Sequence, residues 1–162
     1  MQGNTYTSQP VSAADIPLED VSRVDIEFEQ VDHEGASFEG RVFLNNPEAD
    51  ENTDLSPENG YAGSFFIFGH GGCFGDEGHC EVGTESQPVD PYDPRRSHPL
   101  TPVEMSVEAT EAVRRTVSEG GNITVSVVPV ITGFTEQTDL EDVLKFDLHP
   151  RIVAYETEVE TA

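Results

Sequence analysis

Short runs of alternating apolar and charged residues constrain the fold of this chain more than any other feature. Between residues 24 and 29, Val24, Ile26 and Phe28 alternate with acidic residues. A period of two is that of a β-strand with one buried and one solvated face. Further strand-like runs lie at residues 38–44, 65–68, 105–109, 123–131, 144–148 and 152–155. The aromatic run 65–68 is interpreted as part of the core.

One short helix interrupts the strand pattern. Thr110 is the predicted cap of the helical run EAVRRTVSE, which stops at the glycine pair 120–121. Five prolines keep residues 83–103 out of any central strand. We therefore predict an all-β fold, an antiparallel β-sandwich or jelly-roll-like barrel with about seven strands and one short helix. Residues 1–19 form a flexible polar leader or an edge segment, 20–156 the sandwich and 157–162 an acidic tail.

The charge of the chain is extreme. The 162 residues include 32 acidic and 8 basic ones, which gives a net charge of −24. The acids are spread along the whole length, so we expect them to coat the folded surface. Adaptation to high salt explains such a surface, because molar salt screens charge over roughly 3 Å. Binding of divalent cations or of a basic partner is the alternative, but no acidic cluster has calcium-loop spacing. Nucleic acid is excluded as a partner, since no basic stripe exists.

Neither a membrane span nor a secretory signal is predicted. No apolar stretch approaches the length of a transmembrane helix. The first 17 residues lack the basic and apolar parts of a signal peptide. These observations favour a cytoplasmic chain, or a mature form exported by other means.

A glycine-rich segment with the sequence GHGGCFGDEGHC follows the aromatic run and carries both cysteines. His70, Cys73, His79 and Cys80 supply two imidazoles and two thiols within eleven residues. Thiolate and imidazole together suit copper or zinc, and four such ligands complete the coordination of one ion. His98, in the proline-rich segment, is a further candidate ligand. The pattern predicts a single copper or zinc site.

A Cys73–Cys80 disulfide is the alternative interpretation of the same segment. Such a bond would close a short loop and stabilise the chain by roughly 2–3 kcal/mol. The cysteine spacing leaves both interpretations open. No nucleophile–base arrangement, phosphate-binding glycine loop or distinct carboxylate pair is present, so no enzyme class is predicted.

Several strings resemble the C-terminal β-sandwich domain of tyrosinase-like type 3 copper proteins, a family that includes plant polyphenol oxidases. They are SFEGRVFLNNPEAD, YAGSFFIFGHGGCFGDEGHC, HPLTPVEMSVEATEAVRR and NITVSVVPV. The resemblance covers roughly residues 20–155, and GHGGCFGDEGHC is its most specific part. It implies copper rather than zinc as the metal, and a tyrosinase-like or other copper protein as the partner.

The histidines depart from the catalytic part of that family. Type 3 copper enzymes hold two coppers with six histidines on a helix bundle, whereas this chain has five, none on a long predicted helix. Phenol oxidation is therefore not carried over. The resemblance implies a non-catalytic metal-binding accessory domain, present as a protein of its own. The alternative is a structural or self-assembling subunit, such as a filament or surface protein. There the disulfide closes the loop and the leader exchanges as a strand between neighbours.

Overall fold

The computed structural model describes residues 5–33, 35–69, 102–131 and 150–156. Nine β-strands and one α-helix lie in these ranges, so the all-β prediction is confirmed. The strands are β1 (Tyr6–Thr7), β2 (Val11–Ser12), β3 (Val21–Val31), β4 (Phe38–Leu44), β5 (Tyr61–Ile67), β6 (Val103–Glu108), β7 (Asn122–Ile123), β8 (Val125–Ile131) and β9 (Arg151–Glu156). The helix α1 spans Thr110–Glu119. The predicted strand at 144–148 and the acidic tail lie outside the described residues.

The strands form two main antiparallel sheets and a small one. The first has the order β1-β8-β4-β5, the second β6-β3-β9, and β2 pairs with β7 alone. In the second sheet Ile26 lies opposite Val107 on one side and Ile152 on the other. The core lies between the two main sheets, in a sandwich-like arrangement.

The predicted alternation of β3 is reproduced, because Val24, Ile26 and Phe28 are fully buried. The Phe65 ring of β5 packs against Phe28, with 5.0 Å between ring centroids, and against Phe38 at 6.1 Å. Gly40 of β4 lies beneath this ring. A Cβ atom there would come within 2.5 Å of it. Because Gly40 has no side chain, the Phe65 ring has room to lie over β4.

Half of the aromatic run predicted to be core is instead exposed. Phe65 and Ile67 are buried, whereas Phe66 is 66% and Phe68 81% exposed. Successive side chains of a strand point to opposite faces of the sheet. The residues that alternate with Phe65 therefore lie on the outer face.

The prediction that Thr110 caps the helix is wrong. Ala109 is the N-cap residue and makes no side-chain capping bond, and Thr110 is the first helical residue. The Ala109 N–H donates to the Val24 carbonyl at 2.9 Å. The Val24 N–H in turn donates to Thr110 Oγ1 at 3.0 Å. The Thr110 hydroxyl thus adds one hydrogen bond to the β3–β6 ladder. It bonds to β3 and does not cap the helix.

The strand predicted at 123–131 is divided at Thr124. The Asn45 side-chain oxygen accepts a hydrogen bond from the Thr124 N–H at 2.8 Å, and the Asn45 N–H donates to the Thr124 carbonyl at 2.9 Å. Asn45 therefore takes the place of a neighbouring strand at this residue. Before the break the chain pairs with β2, and after it with β1 and β4.

The N-terminal segment lies along the edge of the sandwich. Tyr6 and Thr7 pair with β8, and the Ser8 hydroxyl accepts a hydrogen bond from the Val125 N–H at 2.9 Å. Ala13 and Ile16 are buried in the core. In the described part of residues 1–19, the chain therefore forms an edge segment attached to the sheets.

The acids of the described residues lie at the surface, as predicted. Of those in the described ranges, only Asp25 is buried, and it forms two 2.7 Å hydrogen bonds with Arg23. This hydrogen-bonded pairing raises the pKa of Arg23 above its ordinary value. The described helices include none long and apolar enough to cross a membrane.

Candidate functional site

The five predicted metal ligands, His70, Cys73, His79, Cys80 and His98, all lie outside the described residues. The two cysteines of the alternative disulfide lie outside them as well. In the part of the chain that is described, no three His, Cys, Asp or Glu side chains are grouped so that they could hold a metal ion. The structure bears on the site through the strands that border residues 70–101.

Gly69, the residue just before the segment 70–101, is held in place by close contacts. The Gly69 N–H, just past the end of β5, donates to the Ser37 hydroxyl at 3.0 Å. Gly69 also packs against the backbone of the β3–β4 connection. A Cβ atom on it would lie 2.2 Å from the Gly35 carbonyl oxygen and 2.3 Å from the Ala36 carbonyl carbon. Because backbone atoms cannot rotate away, only glycine fits this approach.

The chain returns at the same end of the sandwich. Val103, the first residue of β6, pairs with Val31, the last residue of β3. Phe38, the first residue of β4, pairs with both Ile67 and Ile131. We call this end, defined by these five residues, the loop end. Loops carried at one end of a rigid sheet are a frequent place for binding sites. His33 lies in the β3–β4 connection at this end and is half-buried.

A chain of polar contacts covers the outer face of β4 and β5. The Ser64 hydroxyl donates to Glu39 at 2.8 Å and lies 2.8 Å from the Tyr61 hydroxyl. Arg41 donates to the other Glu39 oxygen at 3.0 Å and to the Glu51 carbonyl at 3.0 Å. These bonds attach the acidic loop 45–60 to the sheet. Every buried side-chain nitrogen and oxygen of the described residues has a hydrogen-bond partner.

A groove of about 220 Å³ lies between the loop 45–60 and the C-terminal half of α1. It is lined by Leu44, Asn45, Asn46, Pro57, Glu58, Asn59, Gly60, Arg115, Thr116 and Glu119. Two residues of its wall have a left-handed backbone conformation, Asn45 with a φ of 54° and Gly60 with a φ of 80°. The Leu44 N–H donates to the Gly60 carbonyl at 2.8 Å, which closes the base of the loop.

The electrostatics of the groove centre on Arg115. The neighbouring Arg114 pairs with Glu111 at 3.3 Å. Arg115 has no carboxylate within salt-bridge distance among the described residues. The Glu58 backbone N–H and the Ser56 side chain, and to a smaller extent the charge of Arg115, hold the pKa of Glu58 below its ordinary value.

Comparison with known proteins returns no match. No protein-family model, no curated protein and no solved structure is similar to this chain. The resemblance to the tyrosinase accessory domain therefore depends on the strings quoted above.

Proposed function

We propose that this protein is a non-catalytic β-sandwich that binds one copper or zinc ion. The ligands are His70, Cys73, His79 and Cys80, and His98 is the candidate for an additional one. The observation that carries the proposal is the interleaving of two imidazoles and two thiols within eleven residues. Such a set is complete without water, which is typical of structural or metal-handling sites and not of catalytic ones.

Two properties of the scaffold support the proposal. Gly69 and Val103, which flank the segment, are both held at the loop end by backbone contacts. A metal site gains precision when its ligands are carried between rigid elements. In addition, a net charge of −24 attracts cations to the whole molecule.

The resemblance to the accessory domain of tyrosinase-like proteins favours copper over zinc. It also favours a tyrosinase-like or other copper protein as the partner that receives or supplies the ion. Thiolate ligands fit this preference, because they select Cu(I) as well as Zn²⁺.

Metal loading tests the proposal. The protein is reduced, loaded with Cu(I) or Zn²⁺ under anaerobic conditions, desalted and measured by elemental analysis. We expect one ion per chain, and a reduced content in Cys73→Ser, Cys80→Ser and His70→Ala. His33→Ala is the matched control, since it removes a histidine at the loop end that is outside the ligand set. Loss of no more metal from the ligand variants than from this control would refute the assignment.

A second candidate function is self-assembly by strand exchange, and the pairing of β1 favours it. Tyr6 and Thr7 form the edge of the first sheet by pairing with Val127 and Ser126. The same pairing made between two chains would link neighbours. Light scattering across a range of concentrations tests this candidate, with a chain lacking residues 1–9 as the control. Assembly of the full chain but not of the truncated one, with a mass lower by two hydrogen atoms for a Cys73–Cys80 disulfide, supports it. A monomer at all concentrations rejects it.

A further inference from the structure

Arg115 differs from the other arginines that the structure describes. Four of these five touch a carboxylate within 4 Å: Arg23, Arg41, Arg114 and Arg151. Arg115 touches no carboxylate of the described residues, although acids are four times as frequent as basic residues in this chain, 32 against 8. It is half-buried and lines the groove between the loop 45–60 and α1. Its five N–H donors form a rigid fork that matches a carboxylate in two parallel hydrogen bonds.

Three asparagines of the groove are held in place by hydrogen bonds of their side-chain amides, and Asn45 accepts two that both come from Thr124. The Asn46 amide donates to the Asn59 carbonyl at 2.8 Å, and the Asn59 amide donates to the Asp54 carbonyl at 3.2 Å. The Asn45 side-chain oxygen accepts from the Thr124 N–H at 2.8 Å. The opposite end of each amide has no partner within the described part of the chain. The groove therefore presents one amide donor and two amide oxygens that are already oriented.

The charges of the groove have both signs. Glu58 and Glu119 are exposed at its rim, beside the single guanidinium of Arg115. These two carboxylates and the net charge of −24 disfavour a phosphate or another dianion. A zwitterion matches the pattern, because its carboxylate and ammonium groups meet opposite charges. A volume of about 220 Å³ is below the roughly 300–1,000 Å³ of drug-sized sites and suits a smaller molecule.

We propose that this groove binds a small α-amino carboxylate. The Arg115 fork holds the carboxylate, the rim carboxylates of Glu58 and Glu119 face the ammonium group, and the asparagine amides orient the ligand. The groove is formed by residues 44–60 and 115–119, so this site is independent of the proposed metal ligands.

A titration with three probes tests the site on the full chain, at constant ionic strength. L-alanine carries both charges, acetate only the carboxylate and ethylammonium only the ammonium group. Binding is followed by the NMR signal of the Arg115 side-chain N–H and by calorimetry. We expect L-alanine to bind on the order of tenfold more tightly than either half-molecule. Arg115→Gln should weaken it by a similar factor, whereas Arg151→Gln, on β9, should not.

Two further variants separate the contributions. Arg115→Lys keeps the charge but loses the fork, so it should also weaken L-alanine binding. It provides the same test if Arg115→Gln fails to fold. Glu119→Gln should weaken L-alanine and strengthen acetate, because it removes a rim charge. Equal binding by wild type and both Arg115 variants would overturn the proposal. Binding of acetate or ethylammonium as tightly as L-alanine would also overturn it.

Discussion

Substitution of Gly40 by alanine tests how the core is packed. Gly40 is a buried residue of β4, and an added Cβ would lie 2.5 Å from the Phe65 ring. That ring is confined by Phe28 and Phe38. It cannot swing aside, so the new methyl group would force a shift of the ring or of the backbone.

The expected cost follows from this geometry. Overpacking a well-filled core destabilises a protein by about 1–3 kcal/mol. Without the clash, glycine to alanine would stabilise by about 0.4–1 kcal/mol, because the unfolded chain loses freedom. Phe65→Leu shortens the opposing side chain and should cost about 1–2 kcal/mol by itself, from lost apolar burial. In Phe65→Leu the alanine methyl has space, so the double variant should be about as stable as Phe65→Leu alone.

Urea unfolding at constant high salt measures these free energies, with the urea slope compared between variants. We expect a favourable coupling of about 1–3 kcal/mol between the two substitutions. Gly35→Ala is the matched control, since a Cβ there meets nothing within 4 Å. Additivity of the Gly40 and Phe65 effects within about 0.5 kcal/mol would refute the packing described here.

Three other predictions concern the ladder, the acidic loop and the loop end. Thr110→Val should lower the free energy of unfolding by about 1–3 kcal/mol, because the buried Val24 N–H loses its acceptor; Thr110→Ser should retain most of it in the same urea assay. The Thr53 hydroxyl and the Asn52 N–H hold the Asp50 pKa below its ordinary value, so Thr53→Ala should raise that pKa in an NMR titration. A lowered Asp50 pKa stabilises the fold at pH values above the unfolded-state pKa, and this contribution is lost as the pH falls through the folded-state pKa. An Asp50 pKa that is the same in Thr53→Ala and in the wild type would contradict the prediction. Gly69→Ala should reduce metal retention in the loading assay, since its Cβ would meet backbone atoms of Gly35 and Ala36 at 2.2 and 2.3 Å. Metal retention equal to that of Gly35→Ala would contradict the role of Gly69 in holding the metal-binding segment.

The strands could be predicted from the sequence because their signal is local. The bounds of β4 agree with the prediction at both ends, since alternation of apolar residues requires no knowledge of the partner strand. The break at Thr124 could not be predicted, because Asn45, 79 residues away, supplies the acceptor. The role of the Thr110 hydroxyl likewise depends on Val24, 86 residues away.

The exposure of Phe66 and Phe68 and the formation of the groove also depend on contacts between distant parts of the chain. Nothing in the aromatic run indicates which of its alternating positions face the core, so the exposure of Phe66 and Phe68 emerges only from the packing of the sheets. The groove joins residues 44–60 to α1, so the place of Arg115 in it follows from a contact between distant parts of the chain. The sequence offers one signal for it, the asparagine pair 45–46, since asparagine is one of the few residues that tolerate a left-handed backbone. The metal ligands remain a prediction from their spacing.

X-ray absorption spectroscopy of the metal-loaded protein tests the central claim most directly. For the zinc form, two thiolates and two imidazoles predict two sulfur neighbours at about 2.3 Å and two nitrogen neighbours at about 2.0–2.1 Å. Cys73→Ser should remove one sulfur from this shell, and Arg151→Gln should leave it unchanged. A spectrum with only oxygen and nitrogen neighbours would contradict the assignment of Cys73 and Cys80 as ligands.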